Sequence, residues 1–306
     1  MTLTVHDVSI RHYTEADIDS IVAMINGDPF HLKNEVTVQA FKHGLDEPGE
    51  RIRDNTFVVE REHAIVGYFS LCFVEANTRI NVYCYGTVDR SWRRRGIGTA
   101  IFAFIFDHLK AIAQQEARTI RFIHRADTRI AGETTLGTNF GMQEKNIMEV
   151  RCRRDIELSQ AYNLPPGYKF RPPVLADAND WADVYNDAFD GHKQAESVIH
   201  EFKGTDFSPN LYILCNDKAG QAVGLLCATQ SGTQARIASI AVRRDAQGLG
   251  IGKALLSEII NRLHGVGVRD IRLSVDSQKT AAKSLYSKFG FQEEYQRINY
   301  VTTFLP

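Results

Sequence analysis

Apolar residues come in short runs at 57–59, 65–73 and 80–88, separated by polar turn-forming stretches, and this pattern predicts an antiparallel meander. Before it, Val8 to Arg11 alternates like a short strand, and Thr14-Glu15-Ala16-Asp17 is a helix start ahead of Ile18, Ile21, Val22 and Ile25. Residues 36–46 fit a second helix. After the meander the period changes: Ile101, Phe102, Ile105, Phe106 and Leu109 line one face of a helix. A strand at 119–124, a helix-compatible stretch at 127–138 and a strand at 147–152 follow. Then the series restarts, with a strand at 168–171 and a helix carrying Trp181, Val184, Tyr185 and Phe189. Strands at 211–215, 223–228 and 237–242 come next, then a helix with Leu255, Leu256, Ile259, Ile260 and Leu263. A strand through Ile271, Leu273 and Val275, a helix with Leu285 and Tyr286, and a last strand at 299–304 complete it.

The two series are an internal repeat, and its most informative point is a glycine-rich turn between the third meander strand and the long helix. Arg93, Gly96, Ile97, Gly98 and Ala100 match Gln247, Gly250, Ile251, Gly252 and Ala254 at one constant offset. Such a turn lets backbone N–H groups approach an anion, and the helix N-terminus adds its partial positive charge. Each repeat has the size of a domain. Leu164-Pro165-Pro166-Gly167 is the natural break, because consecutive prolines disfavour helix and lack ladder donors. The expected organisation is residues 1–157, a linker at 158–167, and residues 168–306.

Composition narrows the partners. Among 306 residues, 36 Lys and Arg face 37 Asp and Glu, so no global field draws in nucleic acid or an anionic membrane. Five scattered cysteines suggest reduced core residues, with neither a disulfide framework nor a metal site. Met1 to Ile10 shows no basic start followed by an apolar stretch, and no run of roughly 18 apolar residues occurs. The expectation is a soluble cytoplasmic protein.

Lys253-Ala254 after the second turn lacks the hydroxyl of a P-loop, and the turns follow an antiparallel meander where a dinucleotide fold would have a parallel unit. The motifs Arg93xxGly96xGly98 and Gln247xxGly250xGly252, with Leu285-Tyr286-Ser287-Lys288-Phe289-Gly290-Phe291 closing the second copy, resemble the GNAT family of N-acetyltransferases. The resemblance covers nearly the whole chain, twice, and the layout is similar to tandem acetyltransferases of the mycothiol synthase type. It implies an α/β fold of two GNAT-like domains, each a mixed, mainly antiparallel sheet flanked by helices.

The resemblance also implies acetyl-coenzyme A as cofactor and direct attack by a primary amine, on a small molecule or a peptide N-terminus, in a ternary complex. Ile240, Ala241 and Val242 would pair with pantetheine, the Val242 N–H would polarise the thioester carbonyl, and Gln247, Gly248, Leu249, Gly250, Ile251, Gly252 and Lys253 would hold the pyrophosphate. Arg93, Arg95, Gly96 and Gly98 would do the same in the first copy. Arg243 and Arg244 either reach the adenosine 3′-phosphate or are solvated. Tyr286 stands where the family places the acid that protonates the departing thiolate, and core packing is its other reading. Gly137 stands there in the first copy, so the second domain is expected to be catalytic and the first degenerate. Lys279 replaces an asparagine that the family commonly uses toward pantetheine. Asp276, Asp190, His192, Glu196 and Glu201 are weak candidates for the base. The rival class is a non-catalytic acyl-coenzyme A sensor or assembly module; a monomer with an internal pseudo-dimer and a homodimer are both compatible with the repeat.

Overall fold

The structure is a computed structural model that describes residues 8–30, 36–76 and 78–306; of the expectation for the first ten residues, the part on 1–7 lies outside these. In chain order the first repeat gives β1 (Ser9–His12), α1 (Ile18–Gly27), α2 (Val38–Leu45), β2 (Thr56–Arg61), β3 (Ala64–Ala76), β4 (Arg79–Val88), α3 (Ile97–Glu116), β5 (Ile120–Asp127), α4 (Ala131–Asn139) and β6 (Gln143–Arg153). The second gives β7 (Lys169–Arg171), α5 (Ala178–Phe189), α6 (Ala195–Lys203), β8 (Tyr212–Asn216), β9 (Ala222–Ser231), β10 (Gln234–Val242), α7 (Ile251–Gly265), β11 (Asp270–Asp276), α8 (Thr280–Lys288) and β12 (Gln292–Phe304). Helix α6 falls in a stretch that the sequence reading left without an element. Gly265 is inside α7, and Gly267, with φ +81°, supplies the left-handed residue that ends it.

Two compact units result: Met1–Met148 with Tyr295–Pro306, and Glu149–Glu294. These are not the sequence repeats cut at 158–167. The closing strand of each repeat is built into the other unit, since β12 pairs antiparallel with β5 from Arg297↔Asp127 to Phe304↔Ile120, and β6 from Glu149 onward belongs to the unit of β11. Strand order is β1-β2-β3-β4-β5-β12 in unit 1 and β6-β11-β10-β9-β8-β7 in unit 2.

The same device opens both units. Arg11 on β1 makes a bidentate pair with Asp17 at 2.7 and 2.9 Å, and that carboxylate also accepts the Thr14 N–H at the head of α1. Arg171 on β7 pairs with Asp177 at 2.6 Å twice, and Asp177 accepts the Val174 N–H ahead of α5. Each pair ties the first strand to the first helix with charge-assisted bonds. The cores are apolar and separate: Phe57, Phe69, Phe73 and Phe122 under α3 in unit 1, and Trp181, Phe291, Leu255 and Ile259 in unit 2. Burial of each such side chain stabilises by about 1.5–3 kcal/mol. Among the described residues α3 is the helix long and apolar enough to cross a membrane by length and composition; its Ile101, Ile105 and Leu109 face is buried in the core of unit 1. The five cysteines are free, and all but the half-buried Cys84 are buried.

Candidate active site

In unit 2 the sheet opens at its centre. Strand β10 pairs in parallel with β11 only from Gln234↔Asp270 to Arg236↔Arg272, whereas its antiparallel ladder to β9 continues to Val242↔Gly224. A bulge between Ile237 and Ser239 marks the parting. The Arg243 N–H donates to the Val223 carbonyl at 2.9 Å, and this sets the phase of the strand. Alternation then turns the N–H groups of Ile240 and Val242 into the opening and that of Ala241 toward β9. Ala241, buried and paired to Leu225, is therefore a wall residue and not a hydrogen-bonding one.

The glycine turn closes one end of the opening. Gly250, with φ +83°, is the N-cap of α7, and a Cβ there would meet nothing within 4 Å but would need a left-handed backbone. The first helical bond runs from the Ala254 N–H to the Gly250 carbonyl at 3.1 Å. The amides of Ile251, Gly252 and Lys253 are thus at the open helix end, the usual setting for an anion. Side chains around the turn have other work. The Gln247 amide donates to the Val242 carbonyl at 3.1 Å, Ile251 is buried against the place where Gly224 has no Cβ, Leu249 is exposed, and Lys253 lies 5.9 Å from the Tyr162 ring. Gln247 and Ile251 shape the turn, and the backbone amides of Ile251, Gly252 and Lys253 are left at the open helix end.

Helix α8 follows the free end of β11, and Leu285 lies 3.8 Å from where a Cβ on Gly252 would stand, which places this helix beside the start of α7. Tyr286 is half-buried, with its ring edge-on to Phe291 at 6.2 Å. Burial pushes its phenol above the ordinary value, so it keeps its proton at neutral pH. The weak base candidates are accounted for differently. Asp276 accepts the Gln278 N–H at 2.9 Å in the turn before α8; Asp190 is an exposed partner of Arg244; Glu201 holds Lys193 at 2.9 Å and the Tyr212 hydroxyl at 3.1 Å. Arg243 faces Asp245 at 3.5 Å.

Unit 1 has the matching opening, but a segment of its own crosses it. Strand β4 pairs with β5 from Ile80↔Ile120 to Tyr83↔Ile123 and then parts. On the β4 side, Asp28 accepts from Thr87 Oγ1 at 2.7 Å and from Arg93 Nη2 at 2.7 Å. Arg93 also donates through Nε to the Val88 carbonyl at 2.9 Å, the counterpart of the Gln247 contact. On the β5 side, Arg129 pairs with Asp127 at 2.7 Å and donates to the Phe30 carbonyl at 3.4 Å. The guanidiniums of Arg93 and Arg129 both lie over the Phe30 ring, at 5.9 and 5.4 Å. Residues 28–30 thereby bridge both lips. Arg93, expected at the phosphate, is an internal brace, and Arg95 lies over the Trp92 ring at 4.8 Å. Gly96, with φ +84°, caps α3 as Gly250 caps α7. Gly98 is tighter than Gly252, since a Cβ there would come 3.1 Å from Leu136.

Two titratable groups lie behind this bridge. Burial pushes the Glu133 carboxyl up to about 7, opposed by the Asp127 N–H that it accepts at 2.6 Å. Burial lowers His124 to about 4, so the imidazole is neutral, and its Nε2 donates to the Glu133 carbonyl at 3.0 Å. A carboxyl whose folded value is raised contributes stability below its unfolded value and loses it as pH rises through the folded one. Unit 1 is therefore expected to lose up to about 3 kcal/mol from this group between roughly pH 4.5 and 7. Denaturant melts of wild type and Glu133→Gln across that range check it: the difference between them should shift with pH in favour of the variant, and a constant difference refutes the assignment. Sequence pattern did not reveal Asp28, Arg129 or Glu133, since each reads as an ordinary surface charge until the fold gathers them.

Comparison with known proteins agrees with this architecture. Residues 178–291 match the acetyltransferase (GNAT) family and residues 53–132 an acetyltransferase (GNAT) domain, together well over half of the chain. The mycothiol acetyltransferase of Clavibacter sepedonicus is 23% identical over 218 residues, 70% of each chain. That of Renibacterium salmoninarum is 32% identical over 220 residues, covering 67% of this chain and 62% of the relative. Among solved structures, a tandem GNAT protein from the clavulanic acid biosynthesis pathway shares the fold with a TM-score of 0.73 at 14% identity, over 98% of this chain and 99% of that one.

Proposed function

Because the chain belongs to the GNAT family of acetyltransferases, with two such domains in tandem, we propose that unit 2 transfers acetyl from acetyl-coenzyme A to a primary amine and that unit 1 is catalytically degenerate. The observation that carries the reading is the contrast between two matched openings. In unit 2 the edge of β10 beyond Arg236 has no parallel partner and Tyr286 is on the adjoining helix; in unit 1 residues 28–30 span the gap and Gly137 replaces the tyrosine.

Bound acetyl-coenzyme A supplies an acetyl group activated as a thioester. The chain's own part is to hold and polarise. The open edge of β10 offers N–H and C=O groups to the amide-bearing pantetheine arm as an added strand would. The helix end at Gly250 to Lys253 offers amides to the pyrophosphate. The Val242 N–H is aimed to stabilise negative charge that develops on the carbonyl oxygen. Tyr286, which burial keeps in its protonated form, would donate a proton to the departing sulfur, while the attacking amine would lose one to solvent and the phenol would regain its own from solvent. The likeness to mycothiol acetyltransferases supports a small-molecule amine as acceptor, with a peptide N-terminus as the second reading.

Calorimetric titration of acetyl-coenzyme A into wild type and Gly252→Glu tests the site. A Cβ at Gly252 meets only Leu285 at 3.8 Å, so the fold tolerates the change while the carboxylate repels the phosphates. One site in wild type, weakened at least about a hundredfold in Gly252→Glu, is expected on the scale of a like charge brought against a bound anion in a shielded pocket. Binding that survives the substitution, or that is instead lost in Gly98→Glu, would move the active site out of unit 2.

A further inference from the structure

The strand that the first repeat contributes to unit 2 holds the helix that carries Tyr286. Glu149 on β6 is 4% exposed, and its carboxylate accepts from Arg151 Nη1 at 2.7 Å and from the Lys283 ammonium. Burial works against its charge, yet the bonds from Lys283 and Arg151 hold it below the usual carboxylate range. Arg151 Nη2 reaches further, to Ser287 Oγ at 3.0 Å and to the Phe291 carbonyl at 2.9 Å. Lys283 also donates to the Ser277 carbonyl at 3.3 Å, in the turn that leads into α8. Lys283 and Ser287 lie on either side of Tyr286 along the helix, and Phe291 is the ring against which Tyr286 packs.

Helix α8 has no fully buried residue. Its apolar anchorage is limited to the half-buried Leu285 and Tyr286, so these polar ties carry much of its placement. Buried ion pairs add little net stability over apolar residues of the same shape, whereas a planar guanidinium bonded to Glu149, Ser287 and Phe291 at once fixes their relative placement. In unit 1 the matching strand position, ten residues after the Phe-Gly pair in both repeats, is Tyr300 in place of Arg151. There the helix is held by a ring, and it carries Gly137 where unit 2 has its tyrosine.

We infer that Arg151, oriented by Glu149, is a positioning residue for Tyr286: it sets the depth and rotation of α8 so that the phenol meets the departing sulfur. This rests on the acid role given to Tyr286. It also gives the tandem arrangement a chemical reason, because the first repeat supplies the support of the second repeat's acid.

The test is a double-mutant cycle on the full chain with Arg151→Met and Tyr286→Phe, reading kcat, the KM for acetyl-coenzyme A and its calorimetric affinity. Arg151→Met should lower kcat about tenfold or more, the order expected when a catalytic group is displaced, with cofactor affinity within about twofold. In the Tyr286→Phe background it should lower kcat no further, since the group it positions is already gone. An equal loss in both backgrounds, or none in either, overturns the inference while leaving the acid role intact. If Tyr286→Phe alone leaves kcat unchanged, the acid role fails and takes the inference with it. Ser287→Ala keeps the cycle readable should Arg151→Met misfold, because it removes one Arg151 contact at an exposed position; it should show the same dependence on background at smaller amplitude, and additivity there overturns the inference equally.

Discussion

Tyr286→Phe is expected to lower kcat about a hundredfold and to leave the affinity for acetyl-coenzyme A within about twofold, the signature of a group that acts on the chemical step. The substitution deletes one oxygen and keeps the ring against Phe291, so stability should change by less than about 1 kcal/mol. A thiolate departing from a thioester is a base near pH ~8.5, and an ordinary phenol titrates near ~10, so full transfer is uphill by about 2 kcal/mol and the phenol acts chiefly by hydrogen-bonding the sulfur as charge develops on it. Burial raises the Tyr286 phenol further, which keeps the acid form present throughout the neutral range. Activity should therefore not fall on the alkaline side until pH passes ~10, and any fall at lower pH belongs to another group. Steady-state kinetics with a model amine across pH 7 to 10 would measure both. Unchanged kcat in Tyr286→Phe would return the tyrosine to a packing role.

Gly137→Ala should destabilise unit 1, although a helical glycine replaced by alanine ordinarily stabilises by about 1 kcal/mol. The sign reverses because a Cβ at this position would lie 2.6 to 2.9 Å from the Tyr300 ring. Tyr300 is 6% exposed and sits on β12 opposite His124, within the aromatic core of the unit. The contacts are to the root of the ring and not to the free end of a flexible side chain, so ring or helix must shift, and overpacking of this kind costs about 1–3 kcal/mol. Denaturant unfolding should show a net loss of about 2 kcal/mol, with much of it recovered when Tyr300→Leu is added. A more stable Gly137→Ala would mean that the ring yields. The same crowding has a functional corollary: Gly137→Tyr cannot restore an acid in unit 1 unless the strand from the second repeat is changed with it.

Local pattern determined a large share of this protein by itself. Period-2 runs bounded by turn residues and the 3.6-residue faces of Ile101 to Leu109 and Leu255 to Leu263 define elements from near neighbours in the chain. The repeat showed as one offset, and the two glycine turns showed because their backbone demands particular residues at particular spacings. The family match follows from the same local information. The tertiary structure decided what depends on contacts between distant segments. Strands β6 and β12 read identically whichever unit they pair in, because alternation reports a buried face and not a partner; only the tertiary fold puts them across the repeats. Arg93 and Gln247 looked like phosphate ligands because the motif contains them, yet each has a carbonyl to hold five residues back. The bridge from Asp28 to Phe30 joins residues on separate elements to Arg93 and Arg129, and the Glu149–Arg151–Lys283 network joins the two repeats around Tyr286. Charged residues at isolated positions carry no periodic signal, so their partners become legible only when the fold brings them within hydrogen-bond reach.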